Sequence, residues 1–239
     1  MKDALLSVVI PVFNEENTIE QIISQVVNVE LPNNWKKELI IINDKSTDKT
    51  AEILSKYKDV HLVINRAVNG GKGAALRDGF KSAHGDYIII QDADLEYNPN
   101  DYSDLIQPII DGHSDVVFGS RVLGKNNVSH SFVYFYGGIF LNKIFNLFFG
   151  TKLTDFATCY KIFHRKYINT IMKYSSNNFV FDVVEITYVL ARDATILEIP
   201  ISYNPRSVKD GKKIKTKDGI AVFFSIIRIY VNKIFNKNG

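Results

Sequence analysis

The first half of the chain alternates short apolar runs with longer segments whose apolar residues recur at helical spacing. Five runs are typical of buried strands: Leu5–Val12, Leu39–Ile42, Val60–Ile64, Tyr87–Gln91 and Asp115–Gly119. Four segments between them predict helices: Glu15–Val29, Thr47–Tyr57, Gly71–Ala83 and Asp101–Ile110. This alternation predicts an α/β fold, with a Rossmann-like, mostly parallel sheet flanked by helices.

The second half contains two long apolar segments. Phe132–Phe149 is rich in aromatic residues, and its polar residues recur at helical spacing, which favours a helix on a membrane or on the sheet over a span. Gly219–Phe235 carries a narrow polar stripe, which predicts an amphipathic C-terminal helix, either interfacial or docked on the fold. We therefore expect one domain over 1–217 and an amphipathic segment over 218–239.

The net charge of +3 is unevenly distributed, because residues 206–239 contain nine Lys or Arg and two Asp. Such a basic end predicts an anionic partner, namely substrate phosphates, nucleic acid or a membrane surface, with a solvated tail as the alternative. The single cysteine, Cys159, excludes an intramolecular disulfide and is typical of a reducing compartment. The amino terminus has no signal-peptide layout, so we expect a cytoplasmic location.

Two carboxylates, Asp92 and Asp94, follow the strand that ends near Gln91. Ligands of open α/β sheets bind beyond the carboxyl ends of strands, and alternate residues of an extended segment face the same side. Mg²⁺ or Mn²⁺ takes one or two protein carboxylates and completes its shell with water and phosphate oxygens. The pair therefore predicts a divalent metal site, with an acidic turn that caps the next helix as the alternative.

A glycine-rich segment precedes the third predicted helix. Gly70, Gly71 and Gly73 surround Lys72, so an anion can approach backbone N–H groups beside a positive charge. The spacing is neither G-x-x-x-x-G-K-[ST] nor G-x-G-x-x-G, which disfavours ATP hydrolysis and dinucleotide binding.

These motifs, in this order, resemble the family 2 glycosyltransferases with the GT-A fold. The first half matches in Ser7-Val8-Val9-Ile10-Pro11-Val12-Phe13-Asn14-Glu15, Asn43-Asp44-x-Ser46-x-Asp48-x-Thr50, Asn69-x-Gly71-Lys72-Gly73 and Asp92-Ala93-Asp94. The second half resembles the branch that includes dolichyl-phosphate mannose synthases and undecaprenyl-phosphate sugar transferases. Its matches are Gly119-Ser120-Arg121, Asp155-x-x-Thr158-Cys159-Tyr160-Lys161-x-Phe163, Phe181-Asp182-x-x-Glu185, Ile199-Pro200-Ile201-x-Tyr203-x-Pro205-Arg206 and Gly211-Lys212-Lys213-Ile214.

The resemblance implies a metal-dependent inverting enzyme that moves a hexose from a UDP- or GDP-sugar to a polyprenyl phosphate at the cytoplasmic membrane face. It assigns Asp92 and Asp94 to Mg²⁺ or Mn²⁺, and Arg121 to the acceptor phosphate. Asp155, Asp94 and Arg206 would take part in catalysis. The implied donor-binding residues are Pro11, Phe13, Glu15, Asp44, Lys72, Asp92, Lys212 and Lys213.

The role of Asp155 depends on the acceptor. A hydroxyl acceptor needs a base, whereas a phosphate is already anionic near neutral pH, so Asp155 acts as a base or instead positions Lys161 or the sugar. Two other functions stay open: transfer to a glycan or protein hydroxyl, and a non-catalytic nucleotide-sugar-binding subunit. Nucleic-acid binding is not expected, because the basic residues lie among transferase-like motifs rather than on a nucleic-acid-binding fold.

Overall fold

A computed structural model describes residues 3–59, 61–124, 132–206 and 216–235, without the side chains of 132–135 and 216. In this part of the chain, one seven-stranded sheet runs in the order β3-β2-β1-β4-β6-β5-β7. Its strands are β1 (Leu5–Val12), β2 (Lys36–Asn43), β3 (Leu62–Asn65), β4 (Tyr87–Ile90), β5 (Val116–Ser120), β6 (Lys161–His164) and β7 (Leu197–Pro200). Only β6 among them is antiparallel to its neighbours, which confirms the prediction of a mostly parallel sheet.

Helices flank this sheet. They are α1 (Ile19–Asn28), α2 (Thr50–Ser55), α3 (Lys72–Ser82), α4 (Tyr102–Ile110), α5 (Phe132–Phe149), α6 (Ile168–Ile171), α7 (Thr187–Asp193) and α8 (Thr216–Phe235). A π-helical turn, Phe181–Ile186, leads directly into α7.

The central strands contain continuous apolar runs because both of their faces are covered. Ile88, Ile89 and Ile90 of β4 are fully buried, and β1 places Val9 between β2 and β4. Parallel strands that are buried on both faces show this continuous hydrophobic pattern. Since β1, β2 and β4 are adjacent and parallel, their carboxyl ends meet at one edge of the sheet.

The loop after β2 explains why the second helix begins later than the sequence predicts. The predicted helix starts at Thr47, whereas α2 starts at Thr50. The backbone N–H of Thr47 donates to the Asn14 side chain at 2.7 Å, and that of Thr50 donates to Asp48 at 3.0 Å. Polar side chains thus bind this loop to the end of β1, and its residues are not available to extend the helix.

The predicted C-terminal helix is α8, which packs against α5. The rings of Phe148 and Tyr230 stack with their centroids 4.6 Å apart, and α8 buries Val222, Ile226 and Ile229. Its outer face is different, since Phe224 remains 62% exposed. In the described ranges, we find no helix with the length and apolar character that a bilayer crossing requires. The proposed boundary at residue 217 stays a prediction.

Candidate active site

A cavity of about 300 Å³ opens where β1, β2 and β4 end. The strand ends, the start of α3 and the segment after β7 all contribute to its wall, and α8 reaches it with Asp218. The predicted donor, metal and catalytic residues in this wall are Pro11, Phe13, Glu15, Asp44, Lys72, Asp92, Asp94 and Arg206. Residues that are distant along the chain therefore meet around one cavity, as the strand-end positions predict. Lys212 and Lys213 lie outside the described residues.

Asp92 is paired with the lysine of the glycine-rich segment. Its Oδ1 lies 2.6 Å from Nζ of Lys72, and that ammonium lies 2.7 Å from Oδ2 of Asp182. Burial opposes a charged lysine, but the carboxylates of Asp182 and Asp92 raise the pKa of Lys72 well above its ordinary value. Lys72 thus stays cationic in the wall of the cavity.

Arg206 forms ion pairs with three acids in the wall of the cavity. Its guanidinium lies 2.5 Å from Asp94 and 3.3 Å from Glu15, and its backbone N–H donates to Glu96 at 2.9 Å. Burial, with Asp92 and Glu96 nearby, raises the pKa of Asp94 to about 7, and Arg206 offsets part of this shift. Glu96 was not among the predicted site residues, although the spacing 92, 94 and 96 is a signal by which it can be found.

Asp44 binds the backbone of the glycine-rich segment. Its carboxylate accepts hydrogen bonds from the N–H groups of Gly70 at 2.9 Å and Gly71 at 2.7 Å, and it pairs with Arg66. The side chain is nearly inaccessible to solvent. The structure therefore shows Asp44 ordering the loop that forms one wall of the cavity, and sequence reasoning missed its partner Arg66.

Arg121 and Asp155 form a bidentate ion pair. Nε and Nη2 of Arg121 each donate to a carboxylate oxygen of Asp155 at 2.7 Å. Burial raises the pKa of Asp155, but the guanidinium of Arg121 outweighs it and holds that pKa below its usual range. The predicted acceptor contact and the predicted catalytic carboxylate are thus brought together as an ion pair.

Tyr203 connects this pair to the cavity. The Arg121 guanidinium lies over the Tyr203 ring at 5.1 Å, and the Tyr203 hydroxyl donates to Glu96 at 2.8 Å. Glu96 in turn accepts the backbone N–H of Arg206. The two groups of charged residues are therefore parts of one continuous site.

The residues around the cavity fit a divalent cation. In the described part of the wall, Glu15, Asp92, Asp94 and Glu96 supply more negative charge than Lys72 and Arg206 offset. Carboxylate oxygens are the ligands that Mg²⁺ and Mn²⁺ prefer. Within the described ranges no group of three or more His, Cys, Asp or Glu side chains has ligand geometry. Asp92 and Asp94 would therefore hold the ion together with oxygens of water or substrate.

Cys159 plays no part in this chemistry. It is 3% exposed, and its Sγ lies 3.5 Å from the carbonyl oxygen of Ile90. Burial raises the pKa of the thiol well above its ordinary value, so the reactive thiolate is disfavoured. Cys159 is therefore a buried structural residue.

A mostly parallel sheet with charged residues at its strand ends is also the layout of the GT-A glycosyltransferases. The family model "Glycosyl transferase family 2" matches residues 7–172. Because this match covers more than half of the chain, the protein belongs to the family 2 glycosyltransferases.

Three curated relatives are named as sugar transferases. The low-salt glycan biosynthesis hexosyltransferase Agl6 of Haloferax volcanii is 32% identical over 84% of this chain and 48% of its own length. The dolichol-phosphate mannosyltransferase of Pyrococcus furiosus is 35% identical over 52% of this chain and 35% of its own length. The undecaprenyl-phosphate 4-deoxy-4-formamido-L-arabinose transferase of Salmonella choleraesuis is 29% identical over 87% of this chain and 62% of its own length. The chain thus spans less than two thirds of each relative.

Solved structures confirm the fold. TarS 1–349 of S. aureus matches with a TM-score of 0.63 at 21% identity, covering 99% of this chain and 66% of that chain. Glucosyl-3-phosphoglycerate synthase from Mycobacterium tuberculosis, solved with Mg²⁺ and UDP, matches with a TM-score of 0.66 at 20% identity. That match covers 93% of this chain and 79% of the synthase.

Proposed function

We propose that this protein transfers a hexose from a UDP- or GDP-sugar to a polyprenyl phosphate, with inversion at the anomeric carbon. One observation carries this proposal: the acids Asp92 and Asp94 and the cations Lys72 and Arg206 converge on a single cavity at the strand ends. The dolichol-phosphate and undecaprenyl-phosphate substrates in the names of two relatives support the choice of acceptor.

The donor would bind across the strand ends. Pro11, Phe13 and Glu15 line the end of the cavity formed by β1 and would contact the nucleoside. Asp44 would act through the loop that it orders, because its carboxylate already accepts the N–H groups of Gly70 and Gly71. Lys72 and Arg206 would donate to the diphosphate, where charge-assisted hydrogen bonds are strong.

Asp92 and Asp94 would hold Mg²⁺ or Mn²⁺ at the diphosphate. When bound, this ion supplies Lewis-acid stabilisation of the charge that develops on the leaving group. The synthase from M. tuberculosis, which was crystallised with Mg²⁺ and UDP, supports this cofactor through the shared fold.

The acceptor phosphate would approach from the side of Arg121. One of its oxygens forms a bond to the anomeric carbon while the bond from that carbon to the diphosphate breaks, and the electron pair leaves with the diphosphate. No proton has to be removed from an ionised phosphate. The lowered pKa of Asp155 makes it a weak base, which favours a phosphate over a hydroxyl acceptor.

Peripheral contact with the cytoplasmic face of a membrane would bring the lipid to this site. The helices α5 and α8 pack together, and both expose large apolar side chains, including Phe140 (59%), Leu147 (78%) and Phe224 (62%). A contiguous apolar patch formed by such side chains would be an interaction surface. Basic residues precede α8 in the sequence and would add attraction to anionic lipid.

A donor panel tests the proposal. UDP-glucose, UDP-galactose, UDP-N-acetylglucosamine and GDP-mannose are each incubated with a short polyprenyl phosphate and Mn²⁺, and radiolabel is measured in the organic phase. We expect one donor to label the lipid. Preferred labelling of a free glycan or peptide would support hydroxyl transfer instead, and tight nucleotide-sugar binding without transfer to any acceptor would support a binding subunit.

A further inference from the structure

Four charged side chains form a line of alternating sign from the cavity into the core. After Asp92, Lys72 and Asp182, the line ends at Lys161, whose Nζ lies 2.9 Å from Oδ1 of Asp182. Side-chain exposure falls along the line from 25% at Asp92 to 0% at Lys161. Only the outer half of the line therefore lies where a ligand can reach it.

The inner pair, Lys161 and Asp182, needs an explanation. Desolvation of a buried ion pair can exceed its Coulombic gain, and apolar replacements of similar volume are often equally stable. Lys161 also donates to the carbonyl oxygen of Thr158 and lies over the Phe118 ring at 5.6 Å, so its position is well defined. Beyond packing, this pair holds the Asp182 carboxylate in a fixed position next to the Lys72 ammonium.

The backbone around Lys72 and Asp182 is also constrained. Asp182 belongs to the π-helical turn, a feature that is frequent at functional sites. The N–H of Ala74 donates to the carbonyl of Asn177 at 3.2 Å, and a Cβ on Gly73 would lie only 2.3 Å from the carbonyl oxygen of Ser176. The start of α3 therefore cannot shift independently of the segment that leads to Asp182.

We infer that Asp182, held by Lys161, is a positioning residue that keeps the Lys72 ammonium at the diphosphate end of the cavity. This inference rests on the proposed function. Lys72 is repelled by any divalent cation that Asp92 binds, and its long side chain has many alternative conformations. The fixed carboxylate of Asp182 offsets that repulsion, so Lys72 remains in place to donate to the diphosphate.

The test removes both inner charges together, because loss of Asp182 alone would leave Lys161 as an unpaired buried charge. K161M/D182N is compared with the parent by calorimetric titration with UDP and with GDP, each in the presence of Mn²⁺. We expect a folded protein whose Kd for the preferred nucleotide rises about tenfold, the scale of one charge-assisted hydrogen bond. The same double substitution in a K72M background should produce no further loss, because the pair acts through Lys72.

A matched control removes a different ion pair of the same π-helical turn, the one between Glu185 of the turn and Arg228 of α8. Arg228 is 61% exposed and pairs with Glu185 at 3.1 Å, so R228M removes an ion pair nearby without touching Lys72, and its nucleotide affinity should match the parent. The inference would be overturned if K161M/D182N weakened nucleotide binding equally in the parent and in the K72M background. An unchanged Kd in K161M/D182N would overturn it as well. K161M/D182L, in which leucine keeps the branched shape of aspartate without polar atoms, is the second variant if K161M/D182N does not fold.

Two further outcomes are decisive. Failure of both double variants to fold would give the inner pair a purely structural role and overturn the positioning role. A parent protein that binds neither UDP nor GDP would contradict the proposed function itself, and this inference with it.

Discussion

Acidic residues around the cavity have different tasks because their partners differ. Asp44 accepts backbone N–H groups, Asp155 accepts a bidentate arginine, and Asp94 is crowded by other carboxylates. Strand-end position predicted the location of Asp94, whereas Asp155 was assigned to the site only through the family resemblance. Their partners come from distant parts of the chain, so the ion pairs could not be read from local sequence.

The first prediction concerns the metal ligands. D92N and D94N should each lower kcat/KM by roughly 10²–10³-fold, the scale on which lost electrostatic stabilisation of a transition state is felt. EDTA should have the same effect on the parent, with recovery on addition of Mn²⁺. D59N is the control, because Asp59 is an exposed acid outside the cavity wall. Full activity after EDTA treatment would rule out a metal requirement.

The second prediction concerns pH. Folding raises the pKa of Asp94 from an ordinary value of about 3.9 to about 7, so the native state binds this proton more tightly than the unfolded state. The contribution of Asp94 to the free energy of unfolding therefore falls as pH rises through this interval. In metal-free protein, D94N should therefore gain stability relative to the parent as pH rises from about 4 to about 7, the interval between the unfolded and folded pKa values of Asp94. Urea unfolding at each pH measures this, and a difference independent of pH would contradict it.

The third prediction concerns the Arg121–Asp155 pair. R121M leaves a buried carboxylate without its cation and should lower the free energy of unfolding by about 3 kcal/mol. R121M/D155N should recover much of this stability, yet still show a raised KM for polyprenyl phosphate and a near-normal KM for the donor. Steady-state kinetics, with each substrate varied in turn, measure both KM values. Equal changes in the two values would show that Arg121 does not contact the acceptor phosphate.

At the scale of elements, the sequence predicted the first half of the fold well because its strands contain continuous apolar runs and its helices are clearly periodic. The strands β6 and β7 were not predicted, since Lys161 begins one of these short strands and Glu198 interrupts the other, so neither shows a continuous apolar run. The antiparallel direction of β6 also depends on pairing with β4 and β5, which local pattern does not encode. The π-helical turn was not predicted either.

The fourth prediction concerns the start of α3. G73A places a methyl group within 2.3 Å of the Ser176 carbonyl oxygen and 2.6 Å of the Phe181 Cβ. It should destabilise the protein by about 1–3 kcal/mol, because neighbouring backbone must move. G138A is the matched helical control: a Cβ there meets nothing within 4 Å, and alanine should stabilise α5 by up to about 1 kcal/mol. Thermal unfolding compares the two, and equal effects would show that the close contact is unimportant.

At the scale of the whole molecule, α8 is both a docked helix and the bearer of an exposed apolar face. The sequence left those two possibilities as alternatives. Its inner side buries Val222, Ile226 and Ile229, so deletion of the helix would expose core residues and confuse loss of fold with loss of membrane binding. Substitutions on the outer face are therefore the sharper test.

The fifth prediction concerns vesicle binding. F224E and L147E should each reduce sedimentation with anionic vesicles about tenfold or more, as expected when a large apolar side chain no longer inserts. V27E is the control, because Val27 is an exposed apolar residue on α1. High salt should release part of the bound parent by screening the basic residues. Equal binding by all three variants and the parent would exclude this face as the lipid contact.

The burial of Cys159 has a practical consequence for measuring how this surface meets lipid. The chain has one cysteine, and its thiol is both inaccessible and disfavoured as a thiolate. Thiol-directed dyes should therefore leave the native protein unlabelled. F224C would carry the only reactive thiol, and an environment-sensitive fluorophore attached there would report by its emission colour whether the outer face of α8 enters the bilayer or stays in water.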